Sequence, residues 1–292
     1  MTGSGGFLER MAASSAARVT AAKAQFGERE LRARALDSPR PPPLVLAAEG
    51  FDLLAELKLR SPAAGRFTDP GKGDSAQEVA ARVLSYARAG AAAVSVLTEP
   101  TRFDGSLEHL VAATRALQRE VPVMRKDFLV DSYQVLEARA AGAGGVLVIL
   151  RMLTDGAAAA LLDCARELGL FVLLEGFDEA DIERAHAIVD SHLDAPRGTL
   201  LVGLNCRDLD TLQVVPGRLE ALADALPKRV PRVAESGVVS AEDAARIAHA
   251  GYDLALVGSA LMAVSEPAVL VREVIGGGRR ARRPTRRDGD AP

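Results

Sequence analysis

The sequence predicts a (β/α)8 barrel preceded by an additional N-terminal helix. Three observations carry this. From residue 53 onward, eight short β-type runs alternate with Ala-rich segments of helical spacing. The runs are nearly continuous in apolar residues, as strands of a parallel sheet covered by helices are. Eight such units in roughly 220 residues fit one closed barrel.

Taken in order, the region 6–36 spaces its apolar residues helically and is rich in Ala, Arg and Glu. "SPRPPPL" (38–44) separates it from the strand-bearing region. The predicted strands are "LLAELKL" (53–59), "AAVSVL" (92–97), "VPVMR" (121–125), "GVLVIL" (145–150), "FVLLE" (171–175), "LLVGLN" (200–205), "RVAE" (232–235) and "LALVG" (254–258). Helical segments such as "SAQEVAARVLSYARAG" lie between them. Several end in a glycine just before a strand, as in "ARAGAAAV" and "AHAGYDLALV", where a left-handed C-cap is expected. The connection 187–200 reads as a surface insertion. "GGGRRARRPTRRDGDAP" (276–292) has no apolar periodicity and reads as a disordered basic tail. The expected organisation is therefore 1–50 helical extension and linker, 51–275 barrel, and 276–292 tail. A doubly wound open sheet is the alternative. The first βα turn, "RSPAAGRF", counts against it, because it lacks the GxGxxG dinucleotide fingerprint.

Composition narrows the function. Of 292 residues, 48% are hydrophobic and 26% charged, which suits a packed core. A net charge of −3 gives no reason to expect a nucleic-acid or membrane partner. The two cysteines, Cys164 and Cys206, form no CxxC pair, so neither a zinc site nor a disulfide framework is indicated. No apolar run approaches the ~20 residues of a membrane span, and "MTGSGGFLER" has no signal-peptide core. The cytoplasm is the expected compartment.

Barrel chemistry sits at the C-terminal ends of the strands. Polar residues collect there: Glu56, Lys58 and Ser61; Thr98 and Glu99; Arg125, Lys126 and Asp127; Glu175; Asn205 and Arg207; Glu235, Ser236 and Gly237; Gly258 and Ser259. The fourth strand ends in apolar residues instead. Glu56 and Lys58 are two apart, so both can point into the mouth. Burying them is costly unless they are paired or used. Alone they read as a structural ion pair; beside Lys126 and Glu175 they read as working groups. Asp127 reads as a structural partner and Cys206 as a small buried filler. "GRFTDPGKGDS" (65–75) fails the P-loop spacing, and the four histidines have no metal-ligand spacing.

These motifs together resemble the indole-3-glycerol phosphate synthase family. "AELKLRSPAAG" is similar to its "AEIKRASPSKG". "AVSVLTEPTRFDGSLEHL", "PVMRKDFLVDSYQVLEARAAGA", "VGLNCRDLDT" and "VAESGVVSAEDAARIAHAGYDLALVGSALM" match its remaining blocks in order, over about 50–270. The resemblance implies a (β/α)8 barrel with the additional N-terminal helix over the barrel mouth, and a decarboxylating ring closure of a phosphorylated substrate, with no metal or organic cofactor. It implies Lys126 as general acid, Glu175 as general base and Lys58 as holder of the substrate carboxylate. Glu56 and Glu235 would orient these groups, with Asn205 and Arg207 as further polar contacts. It places phosphate at Ser61, Ser236, Gly237, Gly258 and Ser259, and an aryl pocket at Phe103, Phe128 and Leu209. Pathway-enzyme partners and a monomer or weak dimer are consistent with it. Ala63 departs from the family's serine, and Cys206 from its second asparagine. The alternatives are another phosphosugar barrel, such as phosphoribosylanthranilate isomerase, and a non-catalytic paralogue.

Overall fold

The apolar runs become strands buried along almost their whole length. In the computed structural model, which describes residues 6–48, 50–68, 72–118, 120–192, 196, 198–208 and 211–282, the barrel strands are β1 (Asp52–Leu57), β2 (Ala93–Leu97), β3 (Val123–Lys126), β4 (Gly145–Ile149), β5 (Phe171–Gly176), β6 (Leu200–Asn205), β7 (Arg232–Glu235) and β8 (Leu254–Val257). Each pairs in parallel with its sequence neighbours, and β8 pairs with β1, which closes the barrel. Closure removes the free edges that an open sheet would leave.

Two apolar layers result from the strand period of two. Side chains pointing outward, such as Leu53, Val94, Val146, Val172 and Val202, pack beneath the helices. Those pointing inward, including Leu54, Ala93, Met124, Leu147, Leu173, Leu201, Val233 and Leu254, fill the barrel. Phe171 occupies space that only a glycine at 145 leaves open: a Cβ on Gly145 would lie 2.4 Å from its ring.

The barrel helices begin where short polar side chains satisfy their first N–H groups. Ser75, Ser106, Asp131, Thr154, Asp178 and Ser240 each accept a hydrogen bond from the first turn of their helix. Such caps contribute about 1 kcal/mol each. Gly90 and Gly251, the two expected C-terminal glycines, have φ of 101° and 107°, which a side chain would disfavour.

Two helices precede β1. Helix α1 (Phe7–Gln25) buries Phe7, Met11, Ser15 and Val19, and α2 (Glu28–Asp37) buries Leu31 and Ala35. At the other end the structure departs from expectation. The last helix, Pro267–Arg282, runs through 276–282, which the sequence pattern places in the tail. Its glycines make this packing physically sensible. A Cβ on Gly277 would lie 2.2 Å from the Ala241 carbonyl, and one on Gly278 would lie 2.1 Å from the Phe51 ring. Arg279 then pairs with Asp52 at 2.7 Å and Arg282 with Asp253 at 3.2 Å. The arginines that resemble a solvated run are partly tied to the barrel base. Residues 283–292 lie outside the described residues.

Candidate active site

Strand ends and register converge on one cleft at the C-terminal mouth. Lys126 ends β3 level with Leu97, Glu175 is level with Ile149, and Asn205 is level with Glu235. Glu56, Lys58, Ser61, Phe103, Lys126, Phe128, Glu175, Asn205, Arg207, Glu235, Ser236, Gly237, Gly258 and Ser259 all line it. The sequence-predicted residues are thus brought together, except Leu209, which lies outside the described residues, and Thr98, Glu99 and Arg125, which are buried and do not line the cleft.

The charged groups form two linked sets. Lys58 Nζ is 2.7 Å from Glu56 Oε1. Lys126 Nζ is 3.3 Å from Glu175 Oε2 and 3.6 Å from Glu235 Oε2. Asn205 donates from Nδ2 to Glu175 Oε1 at 2.8 Å, and its own Oδ1 accepts the Arg207 N–H at 2.9 Å. Glu175 is therefore held from both sides. The Arg207 guanidinium donates to the Leu212 carbonyl, closing the loop after β6 on itself.

Two glycines make room for the carboxylates. A Cβ on Gly258 would lie 2.1 Å from Glu56 Oε1, and one on Gly203 would lie 2.2 Å from Glu235 Oε1. No side chain fits at either position while the acids keep these places.

Burial and charge then set the protonation. Burial opposes the charge on Lys126 most strongly, yet Glu175, Glu235 and Glu56 together outweigh it and raise its pKa, so it stays an ammonium. Glu235 moves the other way for a carboxyl. Burial, and next the Glu175 charge, push its pKa well above the usual range, against the pull of Lys126. Neither Glu235 oxygen has a hydrogen-bond partner among the described residues. A buried carboxyl with no hydrogen bond, and only the shared Lys126 charge at 3.6 Å, favours its neutral form.

The rest of the cleft is apolar on one side. Phe103 and Phe128 stand 6.0 Å apart, and Phe7 meets Phe128 edge-on at 5.9 Å. Leu97, Leu147, Ile149 and Phe177 continue this wall. On the other side, the loops after β7 and β8 bring in Ser236, Gly237, Gly258 and Ser259. Ser236 and Gly237 both have left-handed backbone, φ 66° and 72°. A non-glycine residue in that region costs roughly 1–2 kcal/mol, and such strain tends to gather at ligand sites.

Sequence reading missed Phe7, Leu8 and Phe177. Phe177 lies just beyond β5, so the signal for it was an apolar residue at a strand end, as informative there as a polar one. Periodicity alone does not show that α1 reaches into the cleft; the family resemblance places that helix over the mouth without naming the residues it brings there. Asp127, read as structural, is buried and accepts hydrogen bonds from Thr98, Arg125, Arg18 and the Phe128 N–H.

Known proteins resemble this chain along most of its length. A family model described as indole-3-glycerol phosphate synthase matches residues 8–274. An indole-3-glycerol phosphate synthase of Nocardioides sp. is 43% identical over 243 residues, covering 82% of this chain and 86% of that protein. One of Mycobacterium ulcerans is 37% identical over 266 residues, covering 89% and 90%. Among solved structures, a thiamine phosphate pyrophosphorylase from Pyrococcus furiosus matches with a TM-score of 0.54 at 14% identity, covering 79% of this chain and 96% of that one. At that identity the likeness is one of fold.

Proposed function

The chain belongs to the indole-3-glycerol phosphate synthase family, and from that membership we infer that it is a carboxy-lyase of tryptophan biosynthesis. It converts 1-(2-carboxyphenylamino)-1-deoxyribulose 5-phosphate to indole-3-glycerol phosphate, carbon dioxide and water. The observation that carries this reading is the pairing of two lysines with their own carboxylates between an aromatic wall and a pair of Gly/Ser loops.

The substrate has three parts, and each finds a matching surface. Its aryl ring suits Phe103 and Phe128. Its phosphate suits the loops after β7 and β8, a common phosphate position in this fold. Its carboxylate suits Lys58, which Glu56 holds at 2.7 Å.

Ring closure needs a proton on the ketone oxygen as the aryl carbon attacks. Lys126 serves as that acid, because the surrounding carboxylates keep it protonated. Carbon dioxide then leaves and the ring regains its aromaticity. Loss of the hydroxyl as water needs a proton delivered to its oxygen, which a lysine ammonium of the mouth can supply, and a base to remove the proton from the adjacent carbon. Glu175 fills that role, oriented by Asn205. Glu56 and Glu235 set the charge around both steps.

The direct test is purified protein with the carboxyphenylamino substrate, followed by indole fluorescence. Indole formation supports the reading, and its absence from folded protein sinks it. Glu175→Gln sharpens the roles. It should release carbon dioxide ahead of indole in a single turnover; simultaneous release would remove Glu175 from the dehydration step. A cytoplasmic location goes with the proposed biosynthetic role on a small phosphorylated molecule. Among the described residues no helix is long and apolar enough to cross a membrane.

A further inference from the structure

The strand end "RKDF" divides its side chains between two directions. Lys126 and Phe128 line the cleft. Arg125 turns outward beneath the helices, as the strand period requires, and Asp127, although it borders the cleft, turns its carboxylate to Thr98, Arg125 and Arg18. Arg125 donates to the Gln134 carbonyl at 2.8 Å and to Glu137 at 3.0 Å, which ties β3 to its following helix. Asp127 has a different role. Its carboxylate takes Thr98 at 2.7 Å and the Phe128 N–H at 2.8 Å, then both guanidinium nitrogens of Arg18 at 2.7 and 2.9 Å. Arg18 comes from α1.

We propose that the Arg18–Asp127 pair is a positioning device that fixes the N-terminal helix against the strand end bearing Lys126 and Phe128, and thereby seats Phe7 on the substrate's aryl pocket. The inference rests on the activity proposed above.

Geometry supports a lever. Phe7, Met11, Ser15 and Val19 are buried on one face of α1, at helical spacing. Only three of the four are apolar, and one is a serine whose Oγ accepts from Gln134 at 2.8 Å. Such a face holds a helix down but sets its register weakly. The bidentate Arg18 contact is directional and sets it firmly. From Arg18 to Phe7 is ~16 Å of helix at about 1.5 Å per residue. A tilt of ~10° about the pair would carry Phe7 by ~3 Å, enough to undo its edge-on contact with Phe128. The same carboxylate holds the Phe128 N–H, so both rings answer to one group.

Other arrangements in the molecule carry less. The groove lined by Arg66, Lys72 and Arg82 has Arg66 paired with Asp104 and Arg82 with the Leu261 carbonyl. Cys206 is a buried free thiol whose pKa burial raises, away from the reactive thiolate form.

The test uses the full chain. Arg18 has 27% of its side chain exposed, so Arg18→Met keeps the stem and removes the charge. KM should rise about 10–100-fold, the range expected when a remote change misplaces a contact by an ångström or more. Arg18→Lys, which retains the charge but not the two-pronged contact, should recover only part of that loss. Phe7→Ala should also raise KM, and combining it with Arg18→Met should add little, because both remove the same contact. A merely structural pair would lower Tm and leave KM of the folded fraction unchanged. Unchanged KM in Arg18→Met, or fully additive effects in the double variant, would overturn the proposal. Should the parent form no indole, the activity reading fails separately. Amide exchange then decides the pair: faster exchange over 7–25 in Arg18→Met supports it, and parent-like exchange overturns it.

Discussion

Lys126→Met tests the centre of the site through both activity and stability. The ammonium lies 3.3 Å from Glu175 and 3.6 Å from Glu235. At an effective dielectric near 20, each contact at this range is worth ~5 kcal/mol before desolvation is counted. Methionine keeps the volume and removes the charge, leaving Glu175, Glu235 and Glu56 at one buried mouth without it. Orphaning a buried charge costs about 3–5 kcal/mol. The loss should fall below that ceiling, because Glu235 already favours its proton and can keep it. The variant should therefore be less destabilised at pH 6 than at pH 8, where holding that proton is harder. Turnover should drop by ~10²–10⁴-fold, the usual contribution of a positioned acid, with substrate still bound through Lys58 and the phosphate loops. Steady-state fluorescence gives the first result and urea melts at the two pH values the second. Parent-like turnover would refute the assignment and move the acid to Lys58. A pH-independent stability loss would refute the account of the carboxylates.

Glu235→Gln should flatten the stability–pH profile. The folded-state pKa is raised, so the stabilising proton is fully present below about 4.5, the ordinary value, and its benefit is lost as pH rises towards the folded pKa. The slope removed is at most ~1.4 kcal/mol per pH unit, read by melts from pH 4 to 8; an unchanged slope would mean Glu235 is ionised when folded. Ser236→Asp adds a negative charge on a left-handed backbone that Asp tolerates, so KM should rise by at least ~10-fold, the effect of about 1.4 kcal/mol. Competitive inhibition by inorganic phosphate should weaken with it, and equal inhibition of both proteins would place the phosphate elsewhere. Gly258→Asp is a poorer probe, because any side chain there meets Glu56. Truncation after Ile275 should cost roughly 1–3 kcal/mol by stranding buried Asp52 without Arg279, a fall of about 2–4 °C in Tm per kcal/mol; an unchanged Tm would show that the last turns contribute nothing.

The barrel was legible because parallel strands announce themselves as apolar runs, and because polar residues gather where those runs end, some for chemistry and some, such as Thr98, Arg125 and Asp127, for structure. Lys58, Lys126 and Glu175 could be placed at the mouth from strand ends alone. Their pairing could not, since it depends on which strands sit opposite across a closed barrel. The last helix was misread for a specific reason. Gly276, Gly277 and Gly278 look like a breaker when counted, yet two of them are small so that a helix can approach Ala241 and Phe51. Helix propensity was overridden by a packing need that no local window reveals. Phe7 was hidden in the same way: its partner Phe128 lies far along the chain.

The carboxylates explain why the mouth needs its glycines. Two ammonium groups face three acids. Lys58 is given to Glu56, and Lys126 is divided between Glu175 and Glu235, nearer the first. Glu175 also has Asn205, whereas Glu235 has no hydrogen bond among the described residues to hold an ionised form. With Glu235 protonated, Lys58 and Lys126 balance Glu56 and Glu175 before substrate arrives, and Arg207 adds a further positive charge to the cleft lining. The incoming carboxylate and phosphate then meet a mouth that carries no excess negative charge to repel them. Moving Glu235 outward would let water ionise it and upset that balance. Gly203 leaves the room in which its carboxyl can stay buried beside Lys126, since a Cβ there would press on Oε1. Gly258 does the same for Glu56. The two glycines thus act through protonation: they let acids sit where burial, rather than solvent, decides which of them keeps its proton.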